Sequence, residues 1–218
     1  MAQKLSKEKS LKHATAIAAY LLIVWGFYRL MFKLPDEIEE LIVKPLVWLL
    51  PVFVLLGREK LDLASIGITL KNLFPSVYFA LGLGALFVIE AVILNYFKHG
   101  GLNFGANIGD KVLLLSLGLS FATAISEEIT FRGYIFSRVW SATGNEWLAN
   151  FSTNAVWTLI HVPWLLFVQR LGPGPLLINL LVTGAFGVGS AFVFARTRNI
   201  ASSIFLHVLW AWPIILFR

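Results

Sequence analysis

The chain has 218 residues, of which 58% are hydrophobic and only 14% charged, with a mean hydropathy of +0.77 and a formal net charge of +6. A soluble domain carries about a quarter charged residues, so this composition indicates an integral membrane protein built as one bundle, with no room for a separate soluble domain. The absence of cysteine excludes disulfides, thiol catalysis and cysteine–metal sites, and basic residues in a tail and loops point to anionic lipid headgroups rather than nucleic acid.

Residues 1–13, MAQKLSKEKSLKH, form a basic tail with four lysines ahead of the apolar run Ala14–Phe32. That run is long enough to span a bilayer and ends without a small-residue cleavage site, so it reads as a retained first helix rather than a signal peptide. A second span, Glu39–Gly57, is interrupted by Lys44, Pro45 and Pro51, and a kink is expected at its prolines. The third, Phe74–Phe97, contains Glu90, whose carboxylate has three open readings: a proton pathway, a cavity wall, or the membrane surface. After the connector KHGGLNFGANIGD come Val112–Phe131 and Glu146–Val168; after QRLGPGP come Pro175–Ala195 and Ile200–Phe217. The fold class is therefore all-α. A single membrane domain over 1–218 is expected to form a polytopic bundle of about seven to eight helices around a polar cavity bounded by the fourth, fifth and seventh spans. LGLGALF and TGAFGVGSAF read as small-residue packing faces, since neither a preceding strand nor a following Lys-Ser/Thr supports a phosphate loop.

Eleven of the 18 basic residues fall on the N-terminal side of this topology, so the N-terminus is expected in the cytoplasm.

The segment SEEITFRGYIFS places Glu127, Glu128 and Arg132 inside a strongly apolar neighbourhood. On a helix Glu128 and Arg132 lie four residues apart and can pair, whereas Glu127 points about 100° away. A buried ion pair explains Glu128 and Arg132 but leaves Glu127 in a costly place without a partner. His161 in NAVWTLIHVPWLL and His207 in IASSIFLHVLWAW each sit among apolar residues on separate spans; His13 and His99 fall in a tail and a loop. A carboxylate and two imidazoles converging in a bundle can activate water and stabilise an oxyanion, or bind a metal. The zinc motif HExxH and the serine elbow GxSxG are both absent.

Glu127-Glu128-Ile-Thr-Phe-Arg132-Gly133 resembles the EExxxR motif of the CAAX protease and bacteriocin-processing (CPBP) intramembrane proteases, which include the type II CAAX prenyl endopeptidases. Trp157-Thr-Leu-Ile-His161 approximates their FxxxH motif, and His207-Val-Leu-Trp-Ala211 their third, a His followed four residues later by a polar group. The likeness covers a CPBP-like catalytic core over residues 110–217, with Trp157 and Ala211 as departures. The alanine removes a side-chain donor that the family uses at the oxyanion, and loss of one such donor lowers rates about 10²–10³-fold. Asn154 and Asn179 are candidates to replace it.

The resemblance implies an intramembrane endopeptidase cutting a membrane-associated peptide or protein near the cytoplasmic face. Glu127 would be the general base, His161 would position the water, His207 would stabilise the oxyanion, and Glu128 with Arg132 would hold the local architecture. It implies a glutamic rather than a zinc-dependent enzyme, so neither cofactor nor metal is assigned. The alternative is an inactive family member acting as a membrane scaffold or bacteriocin immunity factor, favoured by Ala211. A transporter using Glu90 and Glu127 as a proton relay ranks third, because inverted repeats are not evident.

Overall fold

The computed structural model describes residues 5–103 and 113–217, with backbone alone at Lys98 and 212–217. Part of the basic tail, most of the glycine-rich connector, Lys111, Arg218 and Val112, the expected start of the fourth span, lie outside the described residues. Among those described, all regular structure is helical. The helices are α1 (Lys7–Met31), α2 (Asp36–Glu59), α3 (Leu73–His99), α4 (Leu113–Thr143), α5 (Glu146–Val168), α6 (Pro173–Thr197) and α7 (Ile200–Phe217). The first six are each long and apolar enough to cross a membrane, and α7 is an apolar helix of 18 residues. The protein is thus a multi-pass helical membrane protein.

Two boundaries differ from expectation. Helix α1 starts at Lys7 instead of Ala14, because the Ser6 hydroxyl accepts a hydrogen bond from the Lys9 amide and Glu8 sits in the first turn. Helix α4 continues past Phe131 to Thr143, carrying Arg138 into the interior at its far end.

Windings of wider pitch occur at Glu39–Val43, Ile129–Phe136 and Trp164–Val168. Each borders a residue of the candidate site: Lys44 follows the first, Glu127 and Glu128 precede the second, and His161 lies just ahead of the third. Such π-helical turns re-aim side chains and recur at functional sites. Pro45 directly follows the first of these π-helical turns, and Pro51 lies within the regular helix beyond it.

Helix α3 packs along α7, α7 along α4, and α5 along α6, while α1 lies against α2 and the far part of α4. The small residues allow close approach. A side chain at Gly84 would overlap Leu209, one at Gly187 would overlap Asn154, and a Cβ on Gly133 would stand 2.8 Å from the Ile66 carbonyl oxygen. Trp48, Phe131, Phe136, Trp157 and Phe194 fill the core between these contacts.

A buried polar cluster ties the N-terminal end of the bundle. Glu59 accepts from Tyr134 at 2.7 Å, from the Arg138 guanidinium at 2.9 Å and from His13 at 2.8 Å, and so joins α1, α2 and α4. His13 therefore belongs to this helical knot and not to a tail.

Candidate active site

The adjacent carboxylates Glu127 and Glu128 face different surroundings, as the 100° step between neighbouring helical residues requires. Glu128 is fully buried and saturated. Its Oε1 receives Arg132 at 3.2 Å and His207 Nδ1 at 2.7 Å, and its Oε2 receives the Ser190 hydroxyl at 2.8 Å. Arg132 also donates to the Gly187 carbonyl at 3.2 Å and lies over the Trp157 ring at 4.5 Å. The expected Glu128–Arg132 pair is present, and His207 joins it.

Glu127 turns instead to a cavity of about 180 Å3, walled by Trp25, Arg29, Glu40, Lys44, Trp48, Ile160, His161 and Trp164 together with Glu127 itself. Helices α1 and α2 complete this wall with α4 and α5, where the fourth, fifth and seventh spans had been expected to form it. Its Oε1 lies 2.8 Å from Lys44 Nζ and its Oε2 accepts the Trp157 indole N–H at 2.9 Å. Lys44 is shared with Glu40 Oε2 at 2.8 Å, and the same oxygen accepts from Thr123 at 2.5 Å. Arg29 is ion-paired with Glu39 and stacks on Trp164, its guanidinium carbon 3.9 Å from the ring centroid.

His161 Nδ1 is 2.7 Å from the Trp157 carbonyl oxygen. A carbonyl only accepts, so Nδ1 carries a proton, and in the neutral tautomer that matches this bond the lone pair is on Nε2. His207 does not line this cavity; it packs edge-on to Trp157 at 6.0 Å and against Phe186 at 5.1 Å. Of the three residues expected to share one cavity, Glu127 and His161 do so.

Trp157 links the two halves of the site. Its indole N–H holds Glu127, its carbonyl orients His161, and its ring lies between Arg132 and His207. Phenylalanine at this position would pack but could not donate. Ala211 borders a neighbouring cavity of about 210 Å3 with Ser120, Thr123 and Glu40, apart from Glu127. Asn154 is engaged with the Gly184 carbonyl at 2.8 Å and is not on the wall, nor is Asn179, whose amide oxygen accepts from Thr183 at 3.5 Å. Glu90 is exposed on the outer surface of α3 and lines neither cavity.

Lys44, Glu40, Trp48 and Arg29 escaped the sequence reading of the site. A lysine inside a span was the available signal, since a charge at membrane depth needs a partner. Among the described residues, no group of three or more His, Asp or Glu side chains is close enough to hold a metal ion.

Two adjacent buried carboxylates with separate partners and a cavity-facing histidine thus lie together within an all-helical membrane frame. Residues 109–213 match the model of the family described as type II CAAX prenyl endopeptidase Rce1-like. This site-bearing part of the chain, just under half of its length, is similar to that family, and the match supports a place in the CPBP group of membrane endopeptidases. Searches of curated proteins and of solved structures found no match.

Proposed function

We propose that the protein is a glutamate-dependent intramembrane endopeptidase that hydrolyses a peptide bond in a membrane-associated peptide or protein. The observation that carries this reading is the separation of the two carboxylates. Glu128 is consumed by Arg132, His207 and Ser190, while Glu127 stands in a cavity with His161.

In the reaction, a water held by His161 Nε2 loses a proton to Glu127 as its oxygen attacks the scissile carbonyl. A positioned base of this kind contributes about 10²–10⁴-fold. Glu128, Arg132 and His207 act at one remove, by holding Trp157 and through it Glu127. The oxyanion role expected for His207 gains no support from its place behind Trp157. The steps are drawn with Glu127 and His161 alone and without a metal.

The cavity lies at the end of the bundle where α1 stops and α2 starts, remote from the N-terminus. A cytoplasmic N-terminus and a cut at the cytoplasmic face therefore exclude one another. The distribution of basic residues favours the first, and the cut is assigned to the opposite face.

A second reading, a non-catalytic scaffold or immunity factor, draws on Ala211 and on the Lys44 ion pair that occupies Glu127. Purified protein in lipid nanodiscs, incubated with a library of single-span peptides, separates the two. Cleavage products are expected from wild type and none from Glu127→Ala; equal product patterns, or none from either, would retire the enzyme.

A further inference from the structure

Resting on the hydrolytic reading above, we infer that α2 supplies the oxyanion site: the Lys44 ammonium and the Trp48 indole N–H receive the charge that develops on the scissile carbonyl oxygen. The two residues lie one helical turn apart and wall the cavity that contains Glu127 and His161. Trp48 is buried, and among the described residues its Nε1 has no hydrogen-bond partner. Buried N–H groups are ordinarily paired, and this indole N–H, on a residue that borders the cavity, is one without an acceptor. Arg29, the other cation of the wall, is held by Glu39 and Trp164, whereas Lys44 bridges Glu40 and the base Glu127 itself. Ala211 offers no donor, and His207 Nδ1 is bound to Glu128.

Charge movement explains why a lysine beside the base suits the reaction. The resting carboxylate of Glu127 lies 2.8 Å from the Lys44 ammonium. When water attacks, its oxygen bonds to the carbonyl carbon, its proton passes to Glu127, and the C=O π pair moves onto the carbonyl oxygen. The negative charge thus leaves Glu127 and appears on that oxygen, within the same cavity as the ammonium. Collapse restores the C=O bond, breaks C–N and returns the Glu127 proton to the leaving nitrogen. The balance is amide plus water to acid plus amine.

Trp48→Phe keeps the ring contacts with Trp25 and Phe131 and removes only the N–H and part of the indole. With the library peptide that wild type cleaves fastest, kcat is expected to fall about 10²-fold, with KM within about twofold. The melting temperature is expected to fall modestly, because the smaller ring leaves a void at a buried position, so the phosphonamidate preference is the readout that a packing role alone would not move. A phosphonamidate of the same peptide, a tetrahedral anion, is expected to bind wild type more tightly than the parent peptide, with most of that preference lost in Trp48→Phe. Unchanged kcat and unchanged phosphonamidate preference in Trp48→Phe would overturn the inference, as would a fall in melting temperature without either effect. A Glu127→Gln control that fails to cleave leaves the hydrolytic reading standing in those cases. Cleavage by that control overturns the hydrolytic reading itself, and absence of cleavage by wild type overturns both.

Discussion

Arg132→Ala is expected to destabilise the fold by about 3–5 kcal/mol, the range for removing one partner of a buried ion pair. Arg132 is 1% exposed and Glu128 is not exposed at all, so the abandoned carboxylate has no access to water. His207 and Ser190 would remain as donors to Glu128, but the guanidinium bond to Gly187 and the stack on Trp157 would go with the arginine. Because Trp157 carries the N–H that holds Glu127, turnover is expected to fall along with stability. Thermal unfolding in detergent reads the first effect. Removing both charges, as Arg132→Met with Glu128→Gln, is expected to cost less than the two single changes summed, since neither charge is then stranded. Wild-type melting in Arg132→Ala would mean that the pair is dispensable.

The second large effect is binary and concerns which face of the membrane the cavity serves. Arg29, Lys44, Arg132 and Arg138 are ion-paired inside the protein and do not report on topology. Counting the remaining basic residues by sequence position, nine fall at the N-terminal end of the bundle and five at the other. On the proposed orientation, which this bias favours, the N-terminus is cytoplasmic and the α1–α2 turn, beside the cavity, lies on the opposite side. With no native cysteine, single introduced thiols give a clean background. Leu34→Cys and Leu63→Cys mark exposed positions at opposite ends and leave the lysine and arginine count untouched. A membrane-impermeant maleimide added to intact cells is expected to label the first and to reach the second only after permeabilisation. The reverse pattern would return the cavity to the cytoplasmic face and place the N-terminus outside.

Much of the frame was legible in the sequence because bilayer thickness dictates helix length. All seven helices appear near their expected places, with the largest differences at the start of α1, capped by Ser6, and at the end of α4, beyond a winding change. The unlike roles of Glu127 and Glu128 were also legible, since helical geometry alone pairs Arg132 with the second and turns the first away. What stayed hidden depends on contacts between distant helices. Nothing local to Lys44 identifies Glu127 as its partner, and nothing near Glu59 identifies His13. The wide turns at 39–43, 129–136 and 164–168 leave no periodic trace, because the flanking residues are apolar on nearly every face. In the sequence Trp157 stands out only as a departure from the motif, and its importance lies in an indole N–H whose acceptor is on another helix.

The central claim is that one carboxylate of the pair reacts while its neighbour builds. It is tested most directly by measuring melting temperature and turnover together on Glu127→Gln and Glu128→Gln. In Glu127→Gln, Lys44 keeps Glu40 as counter-ion, so the fold should survive while turnover falls by about 10²–10⁴-fold. In Glu128→Gln, Arg132 loses its counter-ion within the bundle, and the melting temperature should drop. A Glu127→Gln protein that melts early but still turns over, beside a Glu128→Gln protein of native stability, would contradict the account.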